Sequence, residues 1–535
     1  MNLAERVAEV MQLDPAAPAV WAAGRWRTWQ DVDALRRAIE ARLGDPRPGD
    51  SGPGGSGPGG SGPAAALPVG LLARTRFGPV AAMLSLIAAR RTIVPFNPML
   101  GDARLADDIR RTPVALILAE ADDWARPAVR AAAGDRAVAL TPDDSHPLTP
   151  LASLTPDGAH PVTPLASLAS LIPPTSLVPL ASPDIAVWML TSGTTGAPKR
   201  IPIRFAELDH MLDAVGHYSE SGRRAQSAKA LGSRPVIMAS PLVHSSGFGG
   251  ILRAVAEGRP VALLERFSAR EWSLLVQRFE PVAAALVPAA LRMILDEGVP
   301  AGRLRSLRAI TVGTAPLDPA LADEFEARYA VPLLPNYGAT EFPGGLAGWT
   351  MASRRQYWPA KRGSVGTAHP GVDLRVRDAG SGQDLAPGAV GLLAVRTPET
   401  TGRSADGWVV TNDLASIDRD GFVYIHGRAD EAIIRGGFKI VPREVEKLLE
   451  SHPAVRAAGV VGRPDQRLGS VPVAAVEADG EITPADLLTW LRDRLPAYQV
   501  PVEVKIVPQL PRTPSMKISK PGVGELFAGC PRSVS

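Results

Sequence analysis

The sequence predicts an α/β fold: a large, multi-subdomain N-terminal α/β domain followed by a small C-terminal α+β domain. Two patterns carry that expectation. Over most of the chain, short apolar runs alternate with helical segments and glycine-rich connections, as in sheets covered by helices. After about Gly427 the units become shorter, as expected of a separate domain of roughly one hundred residues.

Taken in order, "PVAAMLSLIAARR" (79–91) is apolar enough for a buried helix, and "TIVPF" reads as the strand after it. "IAVWML" (185–190) is a short apolar strand that feeds a glycine loop, and "IPIRF" (201–205) is extended again. Strand "VIMAS", helix "GGILRAVAEG", strand "PVALL", helix "SAREWSLLVQRF" and strand "AAALVP" continue the alternation. In the C-terminal part come helix "REVEKLLESH", strands "AAGVVG" and "VPVAAVEA", helix "TPADLLTWLRDRLP" and strand "VEVKIVP". Thr483 and Pro484 give the last helix its start signal.

Two stretches resist this pattern. Residues 51–63, "SGPGGSGPGGSGP", offer no side chain to pack and read as a low-complexity loop. Residues 146–182 hold the near-duplication "HPLTPLASL" and "HPVTPLASL"; prolines this frequent predict a surface loop without helix or sheet.

Composition narrows the function classes. A net charge of +3 in 535 residues gives no reason to expect nucleic acid or anionic lipid as a partner. The single cysteine, Cys530, excludes an intramolecular disulfide and a cysteine-based zinc site. The first residues lack a signal-peptide core, and the longest apolar run, 168–180, is broken by three prolines, so a cytoplasmic protein with no membrane partner is expected. Only eight of the 58 basic residues are lysine, which draws attention to each of them.

"TSGTTGAPKR" (191–200) has the composition of a phosphate-holding loop, since glycines let backbone N–H groups approach and hydroxyls add donors. It is not a Walker loop: Lys199 follows proline, and an extended segment replaces the helix. A phosphate clamp of another class and a polar turn both fit the loop by itself.

"TSGTTGAPK" closely resembles the phosphate loop of the adenylate-forming superfamily, which includes acyl- and aryl-CoA synthetases, peptide-synthetase adenylation domains and beetle luciferases. The resemblance recurs in family order: "PLVHSSG" (241–247), "GTAPL" (313–317), "NYGATE" (336–341), "TNDLA" (411–415), "GRADEAIIRGGFKIVPREVE" (427–446) and "PRTPSMK" (511–517). It implies an N-terminal adenylate- and acid-binding domain over 1–429 and a C-terminal lid over 430–535, hinged at Asp430. It implies ATP, Mg²⁺ and coenzyme A as cofactors and a small-molecule carboxylic acid as substrate. Lys517 would bridge the carboxylate and the α-phosphate, Thr340 would donate to that phosphate, and Glu341 would hold Mg²⁺. Thr191, Ser192, Gly193, Thr194, Thr195, Gly196 and Lys199 would cradle pyrophosphate. Asn336, Tyr337 and Gly338 would take one side of adenine, with Tyr337 stacking and the Gly313, Thr314 and Ala315 backbone forming the opposite edge. Asp413 would accept from the ribose hydroxyls, and Arg428 would reach ribose or phosphate. His244 would line the acid site, Lys439 would contact the adenylate, and Gly436 and Gly437 would approach the pantetheine arm.

In the acid-pocket motif His244 stands without an aspartate, so an α-ammonium would lack a partner and an amino acid is disfavoured. The glycines near 247–250 and 344–345 read as leaving space for a bulky, hydrophobic acid. With no carrier-protein domain following the lid, CoA is the expected acceptor; a carrier protein remains a possible but less favoured one. Arg200, Asn412 and Met516 stand where the family commonly has glycine. They fit either harmless variation or an enzyme that only transfers a supplied acyl-adenylate to CoA. A non-catalytic nucleotide- or acyl-binding protein is a further alternative, disfavoured by the retained Lys517, Glu341 and Asp413.

Overall fold

The computed structural model describes residues 2–43, 67–140, 148–150, 182–191, 199–215, 231–400, 406–435, 438–465, 467–513 and 516–528. The repeat at 51–63 and Cys530 lie outside them.

Strand Val69–Leu72 is buried at every position, as expected of a strand with parallel neighbours on both sides. It sits inside a seven-stranded sheet. The order is Leu148–Pro150, Ala137–Leu140, Ile117–Glu120, Val69–Leu72, Ile93–Phe96, Ile185–Thr191, Lys199–Arg204. The five inner strands are parallel and the two outer ones antiparallel. Helix Phe77–Ala88, apolar all round, is buried from Pro79 to Ile87 and lies in the main core with Val7, Trp29 and Ile251. Burying side chains of this size stabilises by about 1.5–3 kcal/mol each.

Leu148–Pro150 corrects the expectation that 146–182 holds no regular structure: it pairs antiparallel with Ala137–Leu140. Pro150 is tolerated because this strand is the sheet edge, where one N–H row needs no partner. The rest of the proline-rich stretch to residue 181 lies outside the described residues.

A second sheet runs Ala283–Leu286, Ala309–Val312, Leu333–Tyr337, Ala347–Gly348, Thr367–Ala368; its first three strands are parallel. A four-stranded sheet joins Val236–Met238, Val261–Leu263, Pro18–Ala22 and Arg25–Thr28. An antiparallel sheet of Asp373–Arg377, Gly391–Arg396, Val409–Ile417 and Val423–Arg428 completes the large domain. In the small C-terminal domain, Val455–Asp465 and Gly469–Ala478 form a long hairpin flanked by Ile433–Arg435, Phe438–Ile440 and Glu503–Ile506. Helices Pro442–Glu450 and Pro484–Arg492 close its core over Val445, Leu449, Leu487 and Leu491. Thr483 caps the second of these in a reciprocal pair with Asp486.

Candidate active site

Adjacent parallel strands deliver the first part of the site. Ala309–Val312 and Leu333–Tyr337 run side by side, with Val312 level with Pro335, so Gly313 and Asn336 emerge together at their C-terminal ends. Such ends are where α/β sheets bind ligands. The approach is close: a Cβ on Gly313 would sit 1.9 Å from Asn336 Oδ1, so any other residue there would displace the Asn336 side chain. Thr314 next to it has φ +75, a strained conformation for a β-branched residue. Ala315 is half-buried.

The antiparallel pair Val409–Ile417 and Val423–Arg428 supplies the second part by setting Asp413 level with Arg428. The Tyr337 hydroxyl donates to Asp413 Oδ2, which ties the two sheets together at this point. Burial, and then the Asp413 and Glu341 charges, push the Tyr337 phenol pKa up, so it stays a neutral donor. Asp413 is itself held by its backbone N–H donating to Thr411 Oγ1 at 3.1 Å, and the Thr411 hydroxyl donates to the Leu393 carbonyl at 2.9 Å. Arg428 reaches Asp413 only at 3.9 Å; its guanidinium is engaged by Asp430 at 2.8 and 2.9 Å, which raises its pKa. Asn412 Nδ2 lies 3.5 Å from the same Asp430 carboxylate.

The C-terminal domain contributes Lys517. The described residues on either side of the turn pair closely: Arg512 bridges Ile518, Thr513 N–H donates to the Lys517 carbonyl at 2.7 Å, and Met516 adopts φ +65. The backbone therefore keeps the left-handed shape that glycine would take there, with methionine in place. Burial lowers the Lys517 pKa, with Asp413 and Glu431 opposing and Arg428 reinforcing that shift. Lys517 is also close enough to His244 that, with burial as the larger cause, the imidazole pKa falls from 6.5 to about 4. A neutral His244 follows at ordinary pH. It occupies the N-cap position of helix Ser245–Ala256 without a side-chain capping bond, where the helix dipole also disfavours imidazolium. Its Nε2 is sealed from solvent and has no hydrogen-bond partner among the described residues.

The structure thus brings together Tyr337, Asp413, Arg428, Lys517 and His244 from five sequence motifs. Thr340 is half-buried and Glu341 exposed in the turn after Tyr337. Gly338 packs on Gly345, whose Cα would lie 3.0 Å from an added Cβ. Thr191 and Lys199 face each other as the closing residues of an antiparallel strand pair. Between them Ser192, Gly193, Thr194, Thr195 and Gly196 lie outside the described residues, as do Gly436 and Gly437. Lys439 sits in strand Phe438–Ile440 opposite Ile434. Among the described residues no group of three His, Cys, Asp or Glu side chains forms a metal cluster. The Glu341 carboxylate still fits Mg²⁺, which is commonly held by one or two carboxylates together with substrate phosphates.

One sequence reading changes, and one open alternative narrows. The glycines of the acid-pocket region do not leave open space: added Cβ atoms would lie 2.1 Å from Pro241 O at Gly247, 3.0 Å from Met211 Sδ at Gly249 and 2.8 Å from Met238 Cε at Gly250. Arg200 is spent elsewhere. It grips Asp108 with bonds of 2.9 and 2.8 Å, donates to the Pro95 carbonyl at 2.9 Å and stacks on Phe96 at 4.9 Å.

Sequence reasoning also missed His369 and Met211. His369 is buried, its pKa is driven by burial to about 4, and its Nε2 would lie 3.3 Å from a Cβ on Gly345. A lone histidine after a short strand carries no local signal of this placement.

The AMP-binding enzyme family matches residues 61–403, and its C-terminal domain matches residues 444–517. The chain is 32% identical over 363 residues to a fatty acid–[acyl-carrier-protein] ligase of Streptomyces coeruleorubidus, covering 65% of this chain and 69% of that protein. It is 31% identical over 361 residues to a 2-succinylbenzoate–CoA ligase of Bacillus licheniformis, covering 65% and 71%. Its fold matches ATP-bound MatB from Rhodopseudomonas palustris with TM-score 0.74 at 22% identity over 99% of both chains. The chain belongs to the AMP-binding enzyme family, the adenylate-forming superfamily, in its acyl- and aryl-CoA ligase branch.

Proposed function

We propose that this chain is an AMP-forming acid–thiol ligase that activates a hydrophobic carboxylic acid as its acyl-adenylate and passes the acyl group to CoA. The observation that carries this reading is the cluster in which Tyr337 and Arg428 meet Asp413, with the Lys517 charge acting on His244 and under the influence of Asp413 and Arg428. A carboxylate attacking the α-phosphorus of ATP gathers negative charge there, and a fixed, partly desolvated cation stabilises it more than water would. Lys517 supplies that cation and Thr340 a hydroxyl donor. Neutral His244 borders the acid without adding a second charge. Tyr337 stacks on adenine opposite Gly313, Thr314 and Ala315, with Asn336 and Gly338 beside it, and Asp413 accepts from ribose. Thr191 to Gly196 and Lys199 take the pyrophosphate. Mg²⁺ held by Glu341 would offset the phosphate charge.

In the second step the lid, 430–535, turns about Asp430, withdraws Lys517 and brings 436–439, with Gly436, Gly437 and Lys439, toward the adenylate and the CoA arm. Arg428 and Asn412 act on this hinge through Asp430 as well as on the nucleotide side.

Loading of a carrier protein is a second reading, favoured by the acyl-carrier-protein ligase among the relatives. Transfer of a supplied adenylate loses one of its supports, because Arg200 is committed to Asp108. A panel of carboxylic acids scored separately for pyrophosphate release and for thioester formation on CoA and on a carrier tests all three. Acid-dependent pyrophosphate release with CoA thioester is the expected outcome; absence of acid-dependent release across the panel overturns adenylation.

A further inference from the structure

Gly249 and Gly344 are far apart in sequence, one in helix Ser245–Ala256 behind His244 and the other in the loop after Glu341. One side chain meets both. A Cβ on Gly249 would lie 3.0 Å from Met211 Sδ, and a Cβ on Gly344 would lie 3.2 Å from Met211 Cα and 3.5 Å from its Cγ. Met211, on helix Phe205–Val215, is thus wedged between the element that carries His244 and the loop that follows Tyr337, Thr340 and Glu341. It is 8% exposed and joins Met238 and Phe248 in the same apolar cluster.

We propose that Met211 is the residue that limits acid size: by joining the helix behind His244 to the loop after Glu341 it sets how far an acyl tail can extend past His244, so the preferred substrate is an apolar monocarboxylic acid whose tail ends on this side chain. The proposal rests on the acid-activating reading above. The two glycines explain why. They let a methionine come close enough to join two separate walls, and an unbranched thioether fills such an irregular gap well. Size selection therefore lies in one replaceable side chain rather than in the glycines. Each methylene fitted or excluded in an apolar pocket changes discrimination by about tenfold or more.

The test uses the full chain and N-acylsulfamoyl adenosines with linear acyl groups graded by single methylenes, with binding followed by calorimetry. Wild type should tighten with length up to a limit and then weaken. Met211→Ala should move that limit to longer acyl groups by at least one methylene, with about tenfold tighter binding of the first acyl group beyond the wild-type limit. Met211→Phe should move it to shorter ones, and volume-matched Met211→Leu should leave it in place. Should Met211→Ala lose its thermal transition, Met211→Phe decides by itself. An unchanged limit in the folded variants, or no length limit in wild type, overturns the proposal. Failure of the underlying reading looks different: no analogue binds wild type, and no acid supports ATP–pyrophosphate exchange.

Discussion

Gly247→Ala puts a single methyl group at the tightest backbone approach in the candidate acid pocket. The added Cβ would lie 2.1 Å from the Pro241 carbonyl oxygen, 2.6 Å from its carbon and 2.8 Å from the Ser240 carbonyl oxygen. These are backbone atoms, so no rotamer change relieves the contact, and one side must move by about 1 Å to reach ordinary separation. The carbonyl that must yield is the one that accepts the His244 N–H at 3.0 Å, so the shift is transmitted to His244. Two effects oppose each other. Alanine in place of glycine favours the helix by about 1 kcal/mol. Overpacking costs about 1–3 kcal/mol, and a strained His244 turn about 1 kcal/mol more. The steric side wins, leaving the variant about 1–3 kcal/mol less stable. Misplacing His244 by about 1 Å should lower acid-dependent adenylation by about 10²-fold. Urea unfolding measures the first and ATP–pyrophosphate exchange the second. Gly524→Ala is the control: it lies in helix Lys520–Glu525 with nothing within 4 Å of the added Cβ, and only the helix preference acts. A Gly247→Ala protein as stable and as active as wild type would refute the reasoning.

Arg200→Ala should destabilise by about 1–3 kcal/mol, because Asp108 loses its paired charge in a half-buried site, while KM for ATP stays within about twofold; a large rise in KM at unchanged stability would return Arg200 to the nucleotide. Stability should also fall as pH drops. His244 and His369 have folded pKa values of about 4 against 6.5 when unfolded, so between those values the unfolded chain binds more protons. That stability is fully present above 6.5, and linkage gives a loss of about 2 kcal/mol for each histidine at about pH 5. Urea midpoints at a series of pH values check this, and His369→Gln should flatten the slope; an unchanged slope in that variant would contradict the assignment.

Much of the architecture was legible because apolar periodicity survives in single segments. Strand Ile185–Thr191 and helix Ala269–Phe279 follow their patterns closely, and Thr483 starts its helix as its sequence signals. Strand Leu148–Pro150 was hidden because an edge position tolerates proline, and edge status is a property of the whole sheet. The meeting of Tyr337, Asp413 and Lys517 could be inferred only through motif order, since no local signal relates positions so far apart. Met211 and His369 were invisible for the same reason: their importance lies in which glycines they touch. Which of the two readings of Arg200 holds was not legible in the sequence, because its partner, Asp108, is on a helix far away in the chain.

Lys517→Ala, assayed separately for each half-reaction, bears most directly on the proposed chemistry. Loss of the charge at the α-phosphate should reduce acid-dependent ATP–pyrophosphate exchange by about 10²–10³-fold. Thioester formation from a supplied acyl-adenylate and CoA should stay within a few-fold of wild type. Equal loss of both half-reactions, or full retention of exchange, would contradict the assignment of Lys517 and with it the account of this site as one that makes and then unloads an acyl-adenylate.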